Sequence, residues 1–521
     1  GLGRDDGAGG RRAAQAQERA AIEVGHGGTV RARRDGSPRP EVEESRSILS
    51  VILRPMAHGR RRIHLNGFKQ PTVSHTAHGL WRHPDSRHHR YRELDSWLDT
   101  ARTLERGGFD SLFVADVVGP NVVYRGSVDQ SLREGTQTPS IDPLLIVSAM
   151  AAVTRHLGFG ITVTTTYEQP YALARKMTTL DHLTNGRIGW NVVTGSQESA
   201  ARNLGVGELP SKEERYAIAD EFMDVVYNAW ERSWDDDAVV MDRERGVFVD
   251  PERVRPIGHH GRYFDVPDVF LCEPSIQRTP VIYQAGTSKP GRAFAAKHAE
   301  GIFTTSARIE QIKPVVEDIR AQAAALGRDP QSLKFLSLVA VVVAPTDAEA
   351  QAIFEDYQQY HSVEGTLAFF SAAMGLDLGS LDPDQPLRDV PVPGVQGLLD
   401  AYTRLDPDRE WTPRQIAEHA GATGRPTIVG SPATVADELE RLVDEVGIDG
   451  FNLADVMPGV TFPSFVDLVV PELRRRGRVP ERYPGTTLRE SFYGPGRRHV
   501  PDDHPAAAYR AQRNRAAVGA P

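Results

Sequence analysis

The sequence predicts an α/β chain closed as a (β/α)8 barrel, with two long insertions and disordered termini. Three observations carry this reading. Short β-branched runs alternate with segments of helical period, which is the signature of parallel βαβ units. The runs number about eight, the count that closes a barrel. Several of them end on polar residues, the place where a parallel barrel carries its chemistry.

Strands are expected at 63–68, 111–117, 157–166, 187–194, 280–286, 301–305, 335–344 and 450–456. Helices are expected at 94–106, 143–154, 170–183, 213–230, 290–298, 309–326, 348–360 and 462–476. In the fourth of these, Tyr216, Ile218, Ala219, Phe222, Val225, Val226 and Trp230 recur at the three-four spacing of one buried face. The alternation breaks twice. Residues 234–279 contain AVVMDRERGVFVD and GRYFDV, an alternating stretch that reads as a hairpin-like excursion. Residues 362–426 are rich in Pro, Gly and Asp with weak helical signals. Long insertions in barrels commonly act as lids or oligomer contacts, so either is a candidate for closing the mouth or joining copies into a homo-oligomer.

The barrel is expected to span 61–490. Residues 1–60 are rich in Gly, Arg and Ala, lack apolar periodicity, and cannot bury enough surface to offset ordering entropy. Residues 491–521 have the same character, and both ends are expected to be disordered.

The 521 residues carry 61 basic and 70 acidic side chains, a formal charge of -9. No global basic field exists to hold nucleic acid or an anionic membrane, and neither partner is expected. The longest wholly apolar run, LVAVVVA at 338–344, is far short of the ~20 residues a membrane span needs. With Cys272 alone, no intrachain disulfide or cysteine metal cluster can form, which suits a reducing cytoplasm. Chemistry must come from other side chains or from a cofactor.

The polar strand ends are Asp116 in LFVADV, Thr162 and Thr164 in ITVTTTY, Asn191 and Thr194 in WNVVTGS, and Gln284 in YQAGTSKPG. Each alone reads equally well as a loop cap. Four such ends in one barrel favour a site, because buried polar groups left unpaired cost ~1–3 kcal/mol each. The segment 284–292 runs from a strand into a helix and contains Thr287 and Ser288. Glycine permits close backbone approach there, and the free amides and dipole of a helix start suit a phosphate. A plain Thr/Ser helix cap is the alternative.

Histidines 75, 78, 83, 88 and 89 cluster between the first strand and first helix without the spacing of metal ligands, and no metal is expected. They read as solvated loop residues, with His78 singled out because Gly79, Leu80 and Trp81 follow it beside the strand. Tyr216, on pattern alone, reads as helix core.

Beyond these patterns, LNGFKQPTVSHTAHGLWRHP, TLERGGFDSLFVADVVG, TTYEQPY, GRIGWNVVTGS, ERYAIADEF and VIYQAGTSKPGRAFAAKHAEGIF together resemble the bacterial luciferase-like flavin monooxygenases. The narrower similarity is to the branch of nitrilotriacetate monooxygenase component A and dibenzothiophene-sulfone monooxygenase. It runs in order over about residues 60–490. The resemblance implies a TIM barrel that binds reduced FMN non-covalently and receives it from a separate NAD(P)H-dependent flavin reductase. With O2 as co-substrate it would oxygenate a small organic molecule, a C–N or C–S compound. Carried over by position, Asp116 would lie near the flavin, Thr162 or Thr164 along its ring and Asn191 against it from the fourth strand, while Tyr216 would approach it from the ERY helix. Thr287 and Ser288 would hold the phosphate. His78 would donate a hydrogen bond near the flavin, and Trp81, Tyr167 and Phe68 would either wall the substrate or serve packing.

One departure stands out. Related members commonly read HDxRY where this chain has Lys212-Glu213-Glu214-Arg215-Tyr216, so Lys212 replaces a family histidine. The expectation is that Lys212 lies at the barrel mouth and acts on substrate or oxygen chemistry, the alternative being a solvated lysine beside two glutamates. Three other functions remain open from sequence: a deazaflavin-dependent oxidoreductase on the same barrel, a hydrolase with paired carboxylates, and a non-catalytic flavin-binding protein.

Overall fold

The computed structural model describes residues 61–286, 288–305, 308–387, 390, 410–424 and 427–518, with side chains described as far as 514. These all lie in one compact unit. The expected N-terminal disordered segment, 1–60, lies outside the described residues.

Eight parallel strands form the barrel: β1 (His64–Lys69), β2 (Ser111–Val114), β3 (Gly158–Thr164), β4 (Ile188–Val193), β5 (Val281–Gln284), β6 (Gly301–Thr304), β7 (Lys334–Val343) and β8 (Gly450–Ala454). Each pairs with the next, and β8 returns to β1 with Gly450 opposite His64 and Asn452 opposite Asn66. Six fall within the stretches expected from sequence, while β1 runs one residue past its expected end and β7 begins one residue before its expected start. Their residues are almost entirely buried, as strands covered on both faces must be. Helices pack outside, and the one at Lys212–Tyr227 buries Ala219, Phe222, Val225 and Val226 along the expected stripe before a π-turn at Asn228–Arg232.

The barrel interior is filled in layers. Asn66 Nδ2 donates to Asn452 Oδ1 at 3.1 Å, and Ser111 Oγ donates to Asn66 Oδ1 at 2.9 Å. Above them Phe68, Phe113, Tyr283 and Phe303 pack with centroids 5.1–5.9 Å apart. Tyr283 fits because the strands around it carry glycine: a Cβ on Gly160, Gly189 or Gly301 would come within 3.1, 2.7 and 2.5 Å of its ring.

Two elements go beyond the expected alternation. A strand at Thr427–Gly430 extends the outer end of β7 in parallel, and a helix at Pro432–Val446 follows it. That helix is capped by Ser431, stopped by left-handed Gly447, and buries Val435, Leu439, Leu442 and Val446 at helical spacing. The first insertion contains the hairpin Val239–Asp242 with Val247–Val249. The second contributes the helices Val363–Met374 and Pro413–Ala420.

The expected disordered tail at 491–521 is corrected by the structure. The helix Leu488–Tyr493 plugs the N-terminal end of the barrel, placing Leu488 within 2.5 Å of a Cβ on Gly158 and burying Arg489 fully. A further helix, Pro505–Val518, docks on the helix ending at Arg232, with Ala506 and Ala507 buried and Arg513 paired to Asp236 at 3.2 Å. Composition alone misleads here because the tail builds no core of its own; its small residues settle on one already formed. The expected boundary at 490 cuts through the plug.

Candidate functional site

A cavity of about 400 Å3 opens at the carboxyl ends of the strands. Its size suits one cofactor or substrate with room to spare. From β2 comes Asp116, two residues beyond the strand end. Burial and then the neighbouring Asp142 carboxylate push its acid up to about 7, so near neutrality it is divided between donor and acceptor forms.

From β3 come Thr162 and Thr164, both in the cavity wall. Asn191 on β4 lies opposite Thr162 in register and donates from Nδ2 to its hydroxyl at 3.0 Å, leaving the threonine proton free to point elsewhere. Asn191 Oδ1 is buried without a hydrogen-bond partner among the described residues, and so is Gln284 Oε1 at the end of β5.

Tyr216 enters from the first turns of the helix Lys212–Tyr227 and is more than helix core. Burial pushes its phenol pKa up, while the Ser288 and Thr194 hydroxyls and the Gln284 amide near it act in the opposite direction. The phenol oxygen sits in a cradle that only glycine allows: a Cβ on Gly286 would lie 2.5 Å from it and one on Gly291 2.7 Å. Ser288 caps the helix Lys289–His298 by accepting from Gly291 N, its carbonyl accepts from Arg292 N, and Pro290 has no N–H, so Lys289 carries the amide of that first turn left without a bond among the described residues. Thr287 lies outside the described residues. Lys212 lies in the cavity wall, half-buried, with Arg215 beside it. The Arg215 guanidinium is buried, held by the Pro210 carbonyl at 2.5 Å, and desolvation pushes its pKa down.

The structure thus brings Asp116, Thr162, Thr164, Lys212, Tyr216 and Ser288 to one cavity, with Asn191 bonded to its wall. His78 is not among the lining residues. It is buried behind Phe369, ring centroids 5.3 Å apart, with Ser74 Oγ 3.1 Å from Nδ1 and its carbonyl accepting from Ser362 N. The wall histidine is His75. Both imidazoles sit in VSHTAHG, three residues apart, and no local pattern distinguishes them. Tyr167 lines the cavity, Phe68 belongs to the barrel interior, and Trp81 is 40% exposed.

Sequence reasoning also missed Asn121, Gln137 and Gln197, which form a polar side of the cavity, and Phe369, Ala372 and Ala373, which form an apolar one. The last three belong to the helix Val363–Met374, so the second insertion supplies wall residues. Among the described residues the first insertion supplies none. No group of described residues has the make-up of a metal site, and no described helix is long and apolar enough to cross a membrane.

Comparison with known proteins agrees with this architecture. The profile of the luciferase-like monooxygenase family matches residues 74–450. The dimethyl-sulfide monooxygenase of Hyphomicrobium sulfonivorans is 47% identical over 453 residues, covering 87% of this chain and 94% of that protein. The long-chain alkane monooxygenase of Geobacillus thermodenitrificans is 46% identical over 450 residues, covering 86% and 98%. Among solved structures, a riboflavin lyase with modified FMN and riboflavin superposes with a TM-score of 0.81 at 35% identity, covering 87% of this chain and all of that one. With the barrel, the cavity and these matches in agreement, the chain belongs to the luciferase-like monooxygenase family and is an enzyme of that class.

Proposed function

We propose that this enzyme binds reduced FMN, takes it from a separate NAD(P)H-dependent flavin reductase, and uses O2 to oxygenate a small, largely apolar organic molecule of the C–S or C–N type. The observation that carries the proposal is the cradle at Gly286, Ser288 and Gly291 under the Tyr216 phenol. The glycines let the Tyr216 phenol and the backbone approach closely, which sets a helix N-terminus and the Ser288 hydroxyl at the cavity wall, and a helix start favours a phosphate. The unpartnered Asn191 Oδ1 and Gln284 Oε1 supply acceptors on the way from that cradle into the barrel, where a flavin presents donor and acceptor edges. The donor set therefore fits FMN.

When bound, FMN supplies the reaction with oxygen, and the protein supplies position and dryness. Ser288 and the helix start hold the phosphate. Thr162, Thr164 and Asn191 orient the ring from the strand ends, and Asp116, poised near 7, holds or releases a proton at its carboxyl oxygens. Val117, Val193, Phe369, Ala372 and Ala373 exclude water from the substrate side. That side favours an apolar substrate portion, while Lys212 and Arg215 offer charge at the mouth. The exposed Met241 and Phe248 of the first-insertion hairpin support a homo-oligomer, which a sedimentation measurement tests.

Oxygen uptake tests the function. The enzyme with FMN, NAD(P)H and an added flavin reductase is expected to consume oxygen in response to an apolar sulfide. Robust oxidation of NAD(P)H by this chain without a reductase contradicts the two-component reading, and activity with a deazaflavin in place of FMN contradicts the cofactor.

A further inference from the structure

Four side-chain amides form a chain along the polar wall of the cavity, and its direction can be read from one end. Gly119 N–H, a backbone donor that cannot be reversed, donates to Gln197 Oε1 at 3.2 Å. Gln197 Nε2 donates to Asn121 Oδ1 at 2.8 Å, Asn121 Nδ2 to Gln137 Oε1 at 3.1 Å, and Gln137 Nε2 to Gln70 Oε1 at 2.8 Å. Every amide must therefore face the same way, since turning one would set donor against donor. The chain ends at Gln70 Nε2, which is buried and has no hydrogen-bond partner among the described residues.

Gln70 lines a second, smaller pocket of about 30 Å3 behind β1. Asp455 lines it too. Its carboxylate is 2% exposed, with Oδ2 bound to Lys69 Nζ at 2.6 Å and Oδ1 buried without a partner among the described residues. One unsatisfied donor and one unsatisfied acceptor thus border the same polar space. A water needs about 10–15 Å3 and two to four polar partners, and this space offers both. A cation fits poorly, because the Gln70 amide and the Lys69 ammonium both present hydrogens.

We propose that this pocket holds one water molecule, which accepts from Gln70 Nε2 and donates to Asp455 Oδ1, and that the buried Lys69–Asp455 pair thereby anchors the amide chain that orients the polar wall of the main cavity. Lys69 and Asp455 act as positioning residues, touching nothing in the main cavity themselves. Their effect is to leave the second N–H of Gln197 and of Gln137 directed away from the chain, so the wall recognises an occupant through hydrogen-bond acceptors. The inference does not rest on the identity of the cofactor.

Neutron diffraction from crystals of the full chain grown in D2O reads the amide directions and the water directly. A D2O molecule between Gln70 and Asp455, with all four amides directed from Gly119 toward Gln70, is the expected result. An empty pocket, or any one amide reversed, overturns the proposal. The variant Lys69→Met/Asp455→Leu is expected to lose the water and the single orientation of Gln70. Should that variant fail to fold, Gln70→Met keeps the ion pair and removes only the donor, and retention of the same ordered water in it overturns the proposal equally.

Discussion

The two ends of the barrel treat polar groups in opposite ways. At the N-terminal end the buried carboxylates of Glu300, Asp110 and Asp449 are held in ion pairs, although Arg62 Nε and Arg320 Nε carry no bond among the described residues. Glu300 binds Arg489 through contacts of 2.7 and 2.9 Å, Asp110 holds Arg62 and His64, and Asp449 holds Arg61 and Arg320. Arg187, fully buried, donates to carbonyls of Thr184, Leu157, Ala151 and Thr154 and to the Thr154 hydroxyl. At the C-terminal end, Asn191 Oδ1, Gln284 Oε1, Gln70 Nε2 and Asp455 Oδ1 lack partners among the described residues, and Asp116 is held near 7. A closed network specifies structure, and an open one waits for a ligand. The contrast assigns stability to one end and binding to the other.

Breaking the closed end should have the largest effect. Arg489→Met leaves the Glu300 carboxylate buried and uncompensated, and should cost ~3–5 kcal/mol of unfolding free energy. A urea midpoint unchanged from the parent would remove the assignment of stability to that end.

At the open end, Gly291→Ala brings a Cβ against the Tyr216 phenol and the Gly286 backbone, which has no room to yield. Reduced-FMN affinity should fall roughly ten-fold or more, about 1.4 kcal/mol. An equilibrium titration matching the parent would mean that the cradle is structural only.

Asp116 sharpens the comparison through pH. Its acid is raised from 3.8 to about 7 on folding, so the protonated form stabilises the fold. That contribution is complete below 3.8 and is lost as pH rises through about 7. Asp116→Asn should therefore flatten the decline in stability across this window and be the more stable protein above it, as denaturation series at several pH values would reveal. Identical profiles would place Asp116 in a solvated loop.

The smallest effect is expected at Lys212. Replacement by Ala should change stability by less than ~0.5 kcal/mol, because the side chain is half-buried on an exposed helix start. It should still slow oxygen transfer, and Lys212→His should restore part of the rate. If both variants matched the parent in turnover, the lysine would be surface alone.

The barrel was legible in the sequence because each strand is a local β-branched run and each helix a local stripe. Asp116, Thr162, Thr164 and Ser288 were legible for the same reason, since each ends a strand or caps a helix. What escaped depends on distant partners. His75 and His78 have equivalent local settings, and Phe369, nearly 300 residues away, packs on both rings, so that His75 lines the cavity and His78 does not is settled only by the folded chain. The amide chain joins residues 70, 121, 137 and 197, whose mutual direction exists only in the folded molecule. The C-terminal plug was missed because composition reports whether a segment can build a core, and not whether it can complete one.

The central claim, that the unsatisfied end of the barrel is a site for FMN held by its phosphate, is tested most directly by anaerobic titration of the full chain with reduced FMN and with reduced riboflavin. Micromolar or tighter binding of FMN, with riboflavin bound far more weakly, is the predicted result. Equal affinity for the two, or no binding of either, would contradict it.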